Sequence, residues 1–469
     1  MRLAALFFLS ICFFTAPPLW AGDLRLGRGA VKITPPVGMP MGGGFTIRLS
    51  TGIHDDLYCK ALVLEKDGAK AAMVACDVES LHRPWSVDPA RQAIRSTTGL
   101  RGHQVMLLAT HSHSGPEMTP LVLEGAEGET ARIANEYHAA LPGKIAEAVR
   151  LAESNLTPAR VWAAIGREDS ISFNRRFLMK DGSVRMNPGQ MNPDIVKPMG
   201  PIDPDLAVVY FDSPDSKPLA TNVNFALHVT AFGGPQFSAD YPAVMARLLG
   251  EVKGPEMLTL FTQGASGNIN QVNVKTRERQ SGPATSARLG TILAADVLKA
   301  CDSLQPLATE PLQVRSETVK LPAPEFTAAE VEKAREVVAR SRKPGPGGPA
   351  FLDLVHAFTV LNVTGRHQSK PIDAEVQVIT LGDQLAWVGL PAEDFVELGM
   401  AVKLASPFRY TIVNELANDM LDYIPDRRAY DQGGYEVVTA RCTPGCGEIL
   451  VDTARRLLVD AHRDLSLRR

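Results

Sequence analysis

Residues 104–109 form a short apolar run that passes directly into Thr110-His111-Ser112-His113-Ser114-Gly115-Pro116, and this stretch constrains the fold more than any other. The run reads as a buried strand, and Gly115-Pro116 forces a turn after it. Side chains alternate faces along an extended backbone, so His111 and His113 are expected to point the same way where the strand stops. Two histidines satisfied by ordinary hydrogen bonds are the commoner meaning of such spacing. A shared site is the better reading here because later apolar runs end in similar polar groups.

Residues 222–227 lead to His228. Residues 257–262 run into Gln263-Gly264-Ala265-Ser266-Gly267-Asn268-Ile269-Asn270. That glycine turn lacks the Gly-Lys-Ser/Thr of a phosphate loop and the last glycine of a nucleophile elbow. Residues 374–381 and 384–390 flank Gly382-Asp383 as a hairpin and stop just before Glu393, and residues 410–416 read as a further strand upstream of Tyr423. Residues 57–64 and 70–76 flank Asp67-Gly68 as another hairpin, and 206–211 is a strand. Helical patterns are expected over 88–96, 131–156 with a kink at Pro142, 284–301, 327–342 and 447–465. This alternation predicts an α/β fold of mixed sheets flanked by helices, with ligands bound beyond the ends of neighbouring strands. His111, His228 and Glu393 would then supply two nitrogens and a carboxylate oxygen. Such a set suits catalytic zinc, with iron or manganese as alternatives.

The rest of the chain says less. Residues 26–56 read mostly as loop and turn, broken by Ile33-Thr34-Pro35-Pro36 and Met41-Gly42-Gly43-Gly44. Residues 173–204 are polar and rich in glycine and proline; Arg175 or Arg176 could grip a carboxylate or carbonyl bidentately, and Arg175 is the candidate retained. Lys343-Pro344-Gly345-Pro346-Gly347-Gly348-Pro349 either separates off a subdomain or tips a helical hairpin, the second being preferred. Of six cysteines, Cys59 and Cys76 sit in apolar runs as expected buried thiols, whereas Cys442-Thr443-Pro444-Gly445-Cys446 has the turn for a local disulfide.

Residues 1–21 carry one basic residue, Arg2, an apolar stretch too short to span a bilayer, and small residues suited to cleavage. They read as a secretory signal peptide, so the product is expected to be exported, with no transmembrane span after the signal is removed. A net charge of −3 without a basic patch argues against nucleic acid and leaves small molecules as the expected partners.

The segment from Thr110 to Pro116 resembles the Thr-His-Thr-His-Ser-Gly-Pro motif of the neutral/alkaline, non-lysosomal ceramidase family. Ile33-Thr34-Pro35-Pro36, Leu227-His228, Gln263-Gly264 through Asn270, Leu390-Pro391-Ala392-Glu393 and Tyr423-Ile424-Pro425 fall in that family's order. The resemblance covers nearly all of residues 22–469 and implies one large catalytic domain there, a zinc-dependent amidase without room for the family's C-terminal immunoglobulin-like domain. It implies Zn2+ held by His111, His228, Glu393 and Tyr423. His113 matches a second histidine beside the metal, Arg175 a substrate-polarising arginine, Tyr435 a tyrosine near the scissile carbonyl, and Gly42 a glycine lining the pocket. One departure matters. Where ceramidases carry a catalytic serine in Gly-Asp/Asn-x-Ser-Pro-Asn, this chain reads Gly267-Asn268-Ile269-Asn270-Gln271. Asn270 cannot act as a nucleophile, although its amide can hydrogen-bond a substrate, and metal-activated water needs no serine. The expected function is therefore an exported zinc-dependent hydrolase of an amide bond in an N-acyl compound or ceramide-like lipid. A serine hydrolase using Ser266, or a secreted binding protein of the same fold, are the alternatives.

Overall fold

The computed structural model describes residues 24–342 and 348–467. The expected signal peptide, with Cys12, and most of the 343–349 linker lie outside them. Three sheets share one plan. The first runs β4-β3-β2-β1 in space, from β1 (Arg25–Lys32), β2 (Tyr58–Lys66), β3 (Ala69–Cys76) and β4 (Val105–Ala109). The second runs β8-β7-β6-β5, from β5 (Arg160–Arg167), β6 (Asp205–Asp212), β7 (Pro218–Phe225) and β8 (Leu258–Gln263). The third runs β9-β10-β11-β12, from β9 (Leu312–Leu321), β10 (Ile372–Leu381), β11 (Leu385–Gly389) and β12 (Tyr410–Asn414).

In each sheet antiparallel neighbours give way to one parallel pair: β3 with β4, β7 with β8, β11 with β12. A parallel neighbour requires a crossover, and a helix supplies each one. These are α1 (Asp88–Thr98), α3 (Asp240–Lys253) and α7 (Val396–Ala405). Helix α2 (Gly128–Ser154) adds to the first unit and runs on through Pro142, α4 (Pro283–Ala300) to the second, and α8 (Cys446–Ser466) to the third.

The sheets face one another across a common core that includes Met106 and Leu108 from the first, Phe211 and Leu260 from the second, and Trp387 and Ile412 from the third. Their outer faces bury against helices, as Val63 and Leu107 do against Ile94 and Ile145. Burial on both faces explains why inner strands such as β3, β4, β8 and β11 read as continuous apolar runs rather than alternating ones. Trp387 Nε1 donates to Asn222 Oδ1 at 2.9 Å, and the segment after β12 stitches the sheets together: Glu415 N donates to Gln263 O, and Asn418 N to Leu107 O.

Several expectations need correction. Residues 25–32 form an eight-residue strand, not a loop, because β1 takes the free edge of β2 over its whole length. Short strands Arg176–Met179, Val184–Met186 and Ile195–Pro198 organise the polar region into a small sheet. Cys59 and Cys76 are joined in a disulfide, and Cys442 and Cys446 are free thiols. The first pairing follows from register. A two-residue turn at Asp67-Gly68 places Cys59 opposite Cys76, with Cα atoms 4.1 Å apart. Helices α5 (Ala328–Ser341) and α6 (Phe351–Leu361) pack on each other, as a helical hairpin requires.

Candidate metal centre and cleft

The C-terminal ends of the three parallel pairs meet. His111 follows β4, His228 follows β7, and Glu393 lies just past β11; they are 1%, 1% and 3% exposed. The Nε2 atoms of His111 and His228 stand 3.1 Å apart, and His113 Nε2 is 3.2 Å from that of His111. Glu393 Oε2 lies 3.2 Å from His111 Nε2 and 3.1 Å from His228 Nε2. Residues Glu393–Asp394 pair in parallel with Tyr423–Ile424, in a register that puts Tyr423 beside Glu393. Tyr423 Oη is 3.4 Å from His228 Nε2.

The two motif histidines converge by a different route from the alternation expected. The strand stops at Ala109, and His111 adopts a left-handed φ of 65°. Such backbone is uncommon outside glycine and persists only where surroundings impose it. Here His111 N donates to Val78 O, and His113 N to Val229 O, beside His228. Close approach also requires two glycines. A Cβ on Gly43 would fall 2.2 Å from His113 Nδ1, and one on Gly267 would fall 2.4 Å from the Glu393 carbonyl oxygen.

Backbone carbonyls decide which imidazole nitrogens face the site. His111 Nδ1 lies 2.7 Å from Glu79 O, and His228 Nδ1 lies 3.0 Å from Ser266 O. A carbonyl offers no hydrogen, so each Nδ1 is the donor and each Nε2 turns a lone pair inward. Glu393 Oε2, buried between them, finds no hydrogen-bond donor. Lone pairs crowded this closely repel unless a proton or a cation sits among them. Burial opposes charge on His111, but the Glu393 carboxylate outweighs it and holds the imidazole pKa up at about 9. Burial and then Arg175 push His228 down to about 4, and burial with the two neighbouring imidazoles keeps His113 well below the usual range. One proton can therefore bridge the cluster, and a cation can replace it. Ligands about 2.0–2.1 Å from a tetrahedral zinc would stand about 3.3 Å apart, close to the spacings found. His111, His113 and His228 can jointly hold such an ion.

Arg175 reaches the same place. Its Nε donates to Glu436 at 2.8 Å, its guanidinium lies over the Tyr423 and Tyr435 rings at 5.1 and 5.9 Å, and its buried Nη2 has no partner. Glu436 also binds Arg176 at 3.0 Å. Sequence reasoning missed Glu436, whose only signal is a carboxylate beside Tyr435 in a short apolar segment. It missed Glu79 too, which lines the cleft beside His111.

Two expected residues stand further back. Gly42 lies one residue behind the wall, which Gly43 and Gly44 form. The Asn270 amide is taken up by Asn187 at 3.1 Å and the Val272 N–H at 3.0 Å. Ser266 is fully buried, its hydroxyl donating to Glu415 at 2.7 Å on the Nδ1 side of His228. It supports His228 rather than facing the cleft. The cleft itself is narrow, with about 70 Å3 of enclosed space, and is lined by Phe45, Glu79, His113, Glu393, Tyr423 and Tyr435 among others.

The fold and site thus define an α/β protein with a buried imidazole–carboxylate cluster at converging strand ends. No family model matches the chain. It is 24% identical to the neutral ceramidase of Pseudomonas aeruginosa over 492 residues, which takes in 89% of this chain and 69% of that protein. The crystal structure of that neutral ceramidase superposes with a TM-score of 0.73 at 20% identity, over 94% of this chain and 75% of the other. A ceramidase complexed with C2 gives 0.70 at 19% identity, over 93% and 75%. The chain is related to the neutral ceramidases and shares their fold. Among the described residues no helix is long and apolar enough to cross a membrane.

Proposed function

We propose that the protein is an exported, zinc-dependent hydrolase of an amide bond in an N-acyl, ceramide-like lipid. The observation that carries this reading is Glu393 Oε2, a buried carboxylate oxygen 3.2 and 3.1 Å from the inward Nε2 atoms of His111 and His228, where one proton or one cation must sit. Likeness to neutral ceramidase supports the reaction class, and the signal-like residues 1–21 support export. Residues 22–469 would act as one catalytic domain.

His111, His228, Glu393 and Tyr423 would hold the ion, which when bound supplies a Lewis acid and an activated water. The chain's own groups do the rest. Arg175 Nη2, buried and unpartnered beside the cluster, would donate to the substrate carbonyl oxygen and stabilise charge as it develops there. Glu436 keeps that guanidinium from turning away. His113, which burial and two neighbouring imidazoles keep neutral, lines the cleft and would steady the developing oxyanion by a hydrogen bond. Tyr435, whose pKa burial raises above its ordinary value, keeps its hydroxyl proton and donates it as a hydrogen bond. Asn270 holds the 267–271 turn rather than the substrate.

The test is hydrolysis of ceramide and simpler N-acyl amides by purified protein. Activity should vanish with a chelator, return with zinc, and be indifferent to serine-directed reagents. Zinc binding without turnover of any N-acyl amide would instead identify a binding protein.

A further inference from the structure

We propose that an open groove behind the cleft wall is a second binding site, one that takes an organic monocarboxylate. The groove has a volume of about 560 Å3. Arg366 and Asp419 lie buried at its deep end beside His367, and Arg83, Lys320 and Lys370 stand at its more exposed rim. Three chain segments separate it from the cleft, and each gives a residue to both sides: Glu79 and Arg83, Asn362 and Arg366, Met420 and Asp419. Arg83 and Arg366 belong to two π-type turns, Arg83–Val87 and Asn362–Arg366. Such turns are rare and collect at functional sites.

Four cations, Arg83, Lys320, Arg366 and Lys370, meet three carboxylates there, Asp88, Asp373 and Asp419, so one positive charge is left over. The deep carboxylate is already taken. Asp419 Oδ1 accepts from Arg366 Nη2 at 2.6 Å, from Arg83 N at 3.0 Å and from Met420 N at 2.8 Å. The rim pairs are looser: Asp88 stands 3.4 Å from Arg83, and Asp373 pairs with Lys320 where both are exposed. Exposed pairs of this kind bind weakly and exchange partners readily. Lys370 Nζ meets an amide oxygen, Gln368 Oε1 at 2.9 Å, in place of a carboxylate. His367, which lines the groove, has a buried Nε2 with no partner. Burial, and then Arg366 and Arg441, push that imidazole down to about 4, so it is neutral in a positive field. As the Nε2–H tautomer it gives one hydrogen bond to a carboxylate oxygen, and Arg83 and Lys370 give charge-assisted ones. A surplus of one charge calls for a monoanion. Pro84 and Pro371 in the same wall favour an organic one.

A buried chain ties the groove to the cleft. Arg366 Nη1 stands 3.2 Å from His82 Nδ1, His82 Nε2 stands 3.2 Å from Ser80 Oγ, and Ser80 Oγ donates to Glu79 Oε2 at 2.6 Å. Burial and Arg366 hold His82 neutral. A guanidinium only donates, so His82 Nδ1 accepts and Nε2 carries the hydrogen toward Ser80. Glu79 ends the chain in the cleft, where its carbonyl oxygen orients His111. An anion that draws on Arg366 therefore bears on the cleft, and amide hydrolysis releases such an anion. This link with turnover rests on the hydrolase reading above; binding in the groove does not.

Butyrate titrated calorimetrically into chelator-treated protein at constant ionic strength should bind saturably at one site. It should bind more tightly than inorganic phosphate, to which the prolines offer nothing. Arg83→Gln and Lys370→Gln should each weaken butyrate about tenfold, as loss of a charged hydrogen bond does. With zinc restored, butyrate should slow amide turnover, and half inhibition should need a correspondingly higher concentration in both variants. Melting curves confirm that each variant is folded. Equal affinity and equal inhibition in wild type and both variants would place the acid in the cleft and overturn the proposal. Absence of saturation, or phosphate bound as tightly as butyrate, would overturn it too. If wild-type protein cleaves no amide at all, the hydrolase reading fails, and the calorimetric measurement alone decides the groove.

Discussion

Two buried charged constellations in this molecule look alike in a burial map and differ in how they are satisfied. Arg91 on α1 donates two bonds to Glu375 on β10, at 2.7 and 3.2 Å, and a third to Val105 O at 2.9 Å. Ser316 completes the carboxylate at 2.7 Å. The cluster of His111, His228 and Glu393 is as deeply buried, yet its two Nε2 atoms and Glu393 Oε2 share a single proton, held by His111, with only the long 3.4 Å approaches of Arg175 and Tyr423 to His228 beside it. The first pins a helix and a sheet. The second holds one exchangeable proton where a cation can take its place. The carboxylates differ most: Arg91 meets both Glu375 oxygens and leaves only its own Nε without a partner, whereas Glu393 Oε2 must share one proton with two imidazoles.

Removing one partner from each constellation should therefore have opposite signatures. Arg91→Ala strands the Glu375 carboxylate and should cost about 3–5 kcal/mol in unfolding free energy, with metal content unchanged. Equal stability to wild type in chemical denaturation would erase the contrast. Ser266→Ala removes a hydroxyl behind His228 and should lower activity or metal affinity about 10- to 100-fold, as loss of an outer support does. Steady-state kinetics check this, because a loss near a million-fold would mark Ser266 as a nucleophile.

The two regions should also titrate differently. Burial alone would raise the Glu375 pKa, but its bonds to Arg91 hold it below the ordinary value. A depressed carboxylate stabilises the fold above its unfolded pKa of about 4.3, and that contribution is lost as pH falls through the folded value. In Arg91→Ala the sign reverses, since acid relieves the unpaired charge. At the cluster, His111 keeps its proton below about 9. Cation affinity should then gain about tenfold per pH unit up to that point, with one proton released per ion bound, both measurable by calorimetry in buffers of different ionisation heat. No proton release at neutral pH would show that the cluster is not bridged by one.

Much of this was legible in the sequence. Strands buried on both faces announced themselves as apolar runs, and His111, His228 and Glu393 stood where three of those runs end. The grouping of strands into three like units was not legible, because pairing β4 with β3, or β12 with β11, depends on crossovers that leave no mark in either strand. The Cys59–Cys76 link was readable from the Asp67-Gly68 turn, but only by counting register outward from it. Carbonyl partners such as Glu79 O and Ser266 O carry no side-chain signature at all, although they set the tautomers on which the site depends. Glu436 lies 261 residues from Arg175, and only folding brings them together.

The most direct test is elemental analysis of purified wild-type protein beside Glu393→Ala. Wild type should carry close to one zinc per chain and the variant almost none, while the circular dichroism spectra of the two match. Stoichiometric zinc retained in the variant, or no divalent metal taken up by the wild type when zinc is supplied, would contradict the account.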